Sequence, residues 1–196
     1  MILKDYVFWK QGVPSHVCDE IVKYGKNQLS IDGVVGAEGK NRKDKNVRDS
    51  KISWLKAPWI WDWINKPFHK ANRDIFQYNL NNIEEAQFTT YSTNQFYEWH
   101  MDLEEDESTI VKKHCRKLSL IVALTDPSKY EGGELEIKSL NSSPEGQFNP
   151  PIISKDEFKE QGTIIIFPSY VWHRVKPVTK GTRHSLVAWS GGPLFT

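Results

Sequence analysis

A mainly β chain with flanking helices, folded as a jelly roll on an N-terminal helical support, is what three features of the sequence predict. Apolar residues recur at helical spacing only within residues 1–82. Beyond that point, short runs either alternate apolar and polar side chains or are wholly apolar and β-branched. Turn residues separate those runs at short intervals, the pattern of a sandwich or small barrel. We therefore read 1–82 as a supporting region and 83–196 as the β core of one structural domain, which 196 residues are enough to form.

Each element has its own signal. Val7-Phe8-Trp9 is a short apolar stretch that leads in. Pro14-Ser15 opens a helix in which Val17, Ile21, Val22 and Tyr24 recur, with Gly25 near its end. Residues 30–46 are Gly-rich and then basic, and are read as an exposed loop, either a solvated linker or a cover for substrate at 36–48. Residues 48–54 look like one strand. Ala57-Pro58 starts a second helix whose inner stripe is expected to carry Trp59, Trp63, Phe68, Ile75 and Phe76. Strands follow at 86–93, 96–102 and 118–124. Gly132-Gly133 turns the chain into 134–137. A long Pro-containing loop spans 140–151. The final strands are the buried run 163–167, then 171–175 and 182–189.

Composition narrows the function classes. A net charge of +1 gives no general attraction to nucleic acid or anionic membrane. No apolar run approaches the roughly 20 residues of a membrane span, and Met1-Ile2-Leu3-Lys4-Asp5 does not read as a secretory signal. Cys18 and Cys115, far apart, offer no disulfide framework, so a reducing, cytoplasmic setting is expected.

His100-x-Asp102, His173 lying 71 residues beyond Asp102, and Arg183 ten residues further on carry the chemistry. Two imidazoles and a carboxylate are the set that holds non-haem Fe(II) on one face, leaving positions open for a cosubstrate and dioxygen. Strand periodicity sends His100 and Asp102 to one face; the alternative is a solvated His and a turn-forming Asp. His173 follows a fully apolar strand, at the end of a buried pair. Arg183 shares a strand face with Ser185, Val187 and Trp189, so its guanidinium needs a partner. An acidic cosubstrate such as 2-oxoglutarate is one, with Ser185 adding a donor; a buried Asp or Glu is the other. The acidic run Glu104-Glu105-Asp106-Glu107 is read as exposed loop, and Trp99 and Trp172 as packing that faces away from the metal.

The stretch from Gly162 through Pro168-Ser169-Tyr170-Val171-Trp172-His173-Arg174-Val175 to Arg183 and Trp189 resembles the C-terminal half of PKHD-type hydroxylases. These are prolyl 4-hydroxylase-like Fe(II)/2-oxoglutarate oxygenases. Gln87-Phe88-Thr89-Thr90-Tyr91 through Phe96-Tyr97-Glu98-Trp99-His100-Met101-Asp102 resembles that family's first ligand strand. Leu118-Ser119-Leu120 and Tyr130-Glu131-Gly132-Gly133-Glu134-Leu135 resemble its middle strands. The resemblance spans residues 84–190 and, more loosely, 48–72.

It implies a double-stranded β-helix (jelly roll), iron on His100, Asp102 and His173, and Arg183 as anchor for the distal carboxylate of 2-oxoglutarate. Tyr91 matches a tyrosine that reaches the cosubstrate, and Leu135, Val175 and Trp189 would wall its pocket. Many relatives carry a glycine in the loop after Tyr91, where this chain has Ser92-Thr93-Asn94-Gln95. The implied reaction consumes 2-oxoglutarate and O2, yields succinate and CO2, and hydroxylates a C–H bond, with ascorbate as candidate reductant. Relatives suggest a prolyl residue of a peptide or protein as substrate. A free amino acid or small metabolite stays open, as does a non-catalytic jelly-roll binding module. A zinc hydrolase on the same ligands would have no use for a buried Arg183 and lacks a His-Glu-x-x-His motif.

Overall fold

The computed structural model describes residues 4–35, 43–103, 113–141 and 150–195. It is a jelly roll of two antiparallel sheets with two helices packed on the outside of the larger one.

In chain order the strands are β1 (Val7–Trp9), β2 (Ile31–Asp32), β3 (Arg48–Asp49), β4 (Lys51–Leu55) and β5 (Asn82–Ile83). There follow β6 (Ala86–Ser92), β7 (Phe96–His100), β8 (His114–Ala123), β9 (Tyr130–Gly132) and β10 (Leu135–Lys138). The last are β11 (Ile152–Ile153), β12 (Ile164–Pro168), β13 (His173–Val175) and β14 (Val178–Pro193). Among the described residues the major sheet runs β1-β12-β8-β14-β6-β4-β2, with β5 and β9 also paired to β14. The minor sheet runs β11-β10-β13-β7-β3.

The helices α1 (Ser15–Lys26) and α2 (Pro58–Ala71) bury one face each against the major sheet. On α1, Val17 and Ile21 are buried, and Gly25 lies so close to the sheet that a Cβ would meet the Phe88 ring at 2.5 Å. On α2 the buried stripe is Ile60, Ile64, Phe68 and Ala71, one residue out of step with the stripe expected from the tryptophans. Trp59 is 36% exposed and Trp63 only half-buried. Branched aliphatic and phenyl side chains fill the sheet-facing holes, while the bulkier, amphipathic indoles cover the rim. A second apolar cluster, including Ile121, Phe167, Ile137 and Val175, lies between the two sheets.

Three local expectations are corrected. Residues 48–54 are two strands, broken at Ser50: β3 pairs with β7 in the minor sheet and β4 with β6 in the major one. The chain crosses between sheets there, which turns Arg48 inward. Strand β7 stops at His100, so Asp102 lies in the bend beyond it. In the 171–175 run only His173–Val175 is strand. The turn after Tyr91 closes without glycine because Asn94 takes the left-handed conformation at φ 69°. Much of the basic loop (36–42), the acidic run 104–107 and most of the 140–151 loop (142–149) lie outside the described residues.

His184, on the helical side of β14, is buried, stacks on Phe88 at 5.2 Å and has Nδ1 3.1 Å from Thr90 Oγ1. Burial, then the charges of Lys26 and Arg183, hold its pKa down to about 4. The unfolded chain takes up this proton near pH 6.5, so its contribution to stability is complete above that pH and is lost as pH falls towards 4. Between pH 7 and pH 5 it should amount to about 1–2 kcal/mol, and denaturation at both pH values should show that loss shrinking in His184→Gln. Phe68→Ala should cost about 3–5 kcal/mol in urea denaturation, whereas Trp59→Ala should cost under about 1 kcal/mol.

Candidate metal centre

The minor sheet brings His100 and His173 together as directly paired residues of β7 and β13. Their ring centroids are 4.1 Å apart. Each ring is fixed in the same way: Nδ1 meets the backbone carbonyl two residues earlier, Glu98 O at 2.8 Å and Val171 O at 3.0 Å. A carbonyl only accepts, so Nδ1 carries the proton and Nε2 presents a lone pair. Burial, then the neighbouring His173, holds the His100 pKa down to about 3, which keeps this imidazole neutral.

Asp102 reaches the same point through the turn between β12 and β13. The Ser169 carbonyl accepts both Asp102 N–H and Leu103 N–H, each at 2.9 Å, while Ser169 N–H donates to Lys117 O at 2.9 Å. The carboxylate oxygens lie 3.7 Å from His100 Nε2 and 3.6 Å from His173 Nε2. Burial opposes ionisation of Asp102, but His173, His100 and Arg116 outweigh it and hold the pKa near 2. The side chains of His100, Asp102 and His173 are 13%, 10% and 4% exposed. One atom from each can be chosen so that all three lie within 4.8 Å of one another.

This set fits a metal ion. Asp102 Oδ2 is buried without a hydrogen-bond partner, which is costly unless something cationic takes it up. Two imidazole nitrogens and one carboxylate converge on it, and the cluster contains no soft thiolate ligand.

The three side chains open into a cavity of about 740 Å³ between the sheets. Arg183, Tyr91, Ser185, Val175 and Trp189 line it, whereas Leu135 is buried in the apolar cluster and does not line it. Arg183 is 4% exposed, donates to Ser185 Oγ at 3.3 Å and has its Cζ 5.5 Å from the centre of the Tyr91 ring, its cross-strand neighbour. Among the described residues no carboxylate pairs with it, so the internal-acid alternative finds no support. The far end is walled by Trp189, whose Nε1 is buried and unpartnered, and by Arg116, which lies 4.2 Å over that indole and binds Glu84 through Nε and Nη2. Trp99 and Trp172 lie on the opposite face, with Lys138 Nζ 4.7 Å and 5.5 Å from their rings.

Sequence reasoning missed Arg48 and Tyr97. Both line the cavity, and Tyr97 stacks on His100 at 3.5 Å between centroids. An arginine starting an otherwise half-apolar run was the available signal, but the reading of 48–54 as one strand hid it. If the cluster binds metal, a divalent cation should bind at one per chain and raise the thermal midpoint. Asp102→Ala should remove that rise in calorimetry; an undiminished rise would discard the cluster as the site.

The family model described as 2OG-Fe(II) oxygenase superfamily matches residues 86–191. A PKHD-type hydroxylase of Prochlorococcus marinus is 31% identical over 188 residues, covering 96% of this chain and 68% of the relative. Another, of Idiomarina loihiensis, is 29% identical over 99 residues, covering 50% of this chain but only 38% of the relative. Among solved structures, a Pseudomonas putida prolyl-4-hydroxylase superposes with a TM-score of 0.67 at 17% identity, covering 95% of this chain and 91% of that one. A Trichoplax adhaerens prolyl hydroxylase, solved with a hypoxia inducible factor peptide fragment, gives 0.72 at 15% identity, covering 95% and 83%. At those identities the structural likeness speaks for the fold alone. Matched by the family model over more than half its length, and by a PKHD-type relative over nearly all of it, this chain belongs to the 2OG-Fe(II) oxygenase superfamily, in its PKHD-type branch.

Proposed function

We propose that this chain is an Fe(II)- and 2-oxoglutarate-dependent dioxygenase that hydroxylates a C–H bond, with a prolyl residue of a peptide or protein as its substrate. The observation that carries the reading is Arg183: a buried guanidinium with no carboxylate partner among the described residues, in the same cavity as the His100, Asp102 and His173 cluster. The prolyl assignment draws support from the prolyl hydroxylases among the solved structures that share the fold, and from the peptide held by the Trichoplax one.

In this reading His100 and His173 present their Nε2 lone pairs and Asp102 its carboxylate to iron. Arg183 takes the distal carboxylate of 2-oxoglutarate as a charge-assisted pair, with the Ser185 hydroxyl and Tyr91 ring beside it. Iron and 2-oxoglutarate, when bound, would supply the oxidative chemistry with O2, one oxygen atom going into succinate as 2-oxoglutarate loses CO2 and the other into the substrate's new hydroxyl. The protein orients the two reactants and keeps water from the reacting centre with Ile121, Val175 and Val187 on the cavity wall. The Nδ1 bonds to Glu98 and Val171 hold both imidazoles in the ligating tautomer throughout.

Fe(II)-dependent succinate formation from 2-oxoglutarate tests the class, and His173→Ala should abolish it while circular dichroism shows the fold intact. Arg183→Ala should weaken 2-oxoglutarate binding at least about 30-fold, the loss expected when a buried charge pair is truncated, and leave metal binding in place. Unchanged 2-oxoglutarate affinity in that variant would refute the anchor.

A further inference from the structure

The cavity contains a second buried arginine that the reading above does not use. Arg48 is 8% exposed and its guanidinium is held on three sides. Nε donates to Ser50 Oγ at 2.9 Å, Nη1 donates to the Val34 carbonyl at 3.1 Å, and Cζ lies 4.5 Å over the Tyr97 ring. Gly33 permits this seat: a Cβ there would come within 2.4 Å of Ser50 Oγ and 2.6 Å of Arg48 Nε. Every protein group in the seat is neutral. Among the described residues no carboxylate pairs with Arg48.

Charge then decides what the cavity lacks. Of the described acids lining it, Glu84 is paired with Arg116 and Glu85 with Lys56, which leaves Asp102 facing Arg48 and Arg183 among the described residues. Loading a divalent iron and a doubly negative 2-oxoglutarate onto those three groups leaves one positive charge in a largely buried space. A guanidinium there, fixed in a preformed seat, costs free energy until an anion meets it, and its planar fork suits a carboxylate.

We propose that Arg48 anchors a carboxylate of the substrate, so that the prolyl residue hydroxylated is the C-terminal residue of its peptide. The inference rests on the proposed function, since it requires Arg183 to be taken by the cosubstrate. It deepens that function by naming the charge of the second reactant.

The test measures ligand binding to the protein loaded with Fe(II) and 2-oxoglutarate under nitrogen, by tryptophan fluorescence or calorimetry. The probes are N-acetyl amino acids, N-acetyl-L-proline among them, each paired with its carboxamide. At least one acid should bind about tenfold or more tightly than its amide, the value of one charge-assisted pair. Arg48→Ala should bring the two within about twofold, and Arg48→Lys, which keeps the charge but loses the fork, should fall between. Thermal melts establish that each variant is folded, and the lysine variant keeps the test open should the alanine variant not fold. The proposal is overturned if no acid outbinds its amide in the parent, or if a folded Arg48→Ala or Arg48→Lys variant keeps the parent's full preference. Failure of 2-oxoglutarate itself to bind the iron-loaded parent would instead defeat the proposed function, and the two failures are read in separate titrations.

Discussion

His100 and His173 face each other directly across the β7–β13 ladder, and most of the site depends on that register. A slip of one residue would turn one imidazole from the cavity to the outer face, because side chains alternate along a strand. Two features resist the slip. On the outer face Arg174 binds Glu136 of β10 at 2.7 Å and lies over Trp99 of β7, so charge and aromatic contacts tie the three strands together. On the inner side the Ser169 carbonyl receives two N–H groups from the bend that carries Asp102. The third ligand is thereby set by the same turn that delivers His173.

The division of labour between the sheets follows from burial. The major sheet is apolar on its helical side, where Phe68, Ile64 and Ile21 pack, and this core gives the fold its rigidity. Its other face supplies polar and cationic groups to the cavity, with Arg183 and Ser185 on β14 and Tyr91 and Thr89 on β6. Because β14 has sixteen residues, one strand runs from the arginine at one end of the cavity to Trp189 at the other. A rigid element along the cavity fixes the separation of the groups it carries better than loops could.

The strands of the β core were legible because their apolar runs and turn residues agree, as in the fully buried Ile164–Pro168 and the Gly132-Gly133 turn. The helices were legible as elements, but not the face of α2. Trp59, Trp63 and the aliphatic residues beside them satisfy two helical stripes one residue apart, and only the shape of the sheet beneath chooses Ile60, Ile64 and Phe68. Leu135 shows the same limit in the site: the resemblance implied a place on the pocket wall, and its side chain lies in the apolar cluster.

Residue identity displayed a candidate donor set of two imidazoles and one carboxylate, an arginine to accompany it and a β-rich chain able to carry them, and the resemblance to PKHD-type hydroxylases assigned their roles. Those are properties of local chemistry and of period-two patterning, which a linear sequence expresses. Tertiary structure alone decided that Asp102 reaches the cluster through a bend and not along a strand, since that requires the distant Ser169 carbonyl. It also decided that Arg48 turns inward where the chain changes sheets, and that Arg183 meets no acid among the described residues. Such facts concern which remote groups come within a few ångströms of one another, and pairing between strands far apart in the chain sets them.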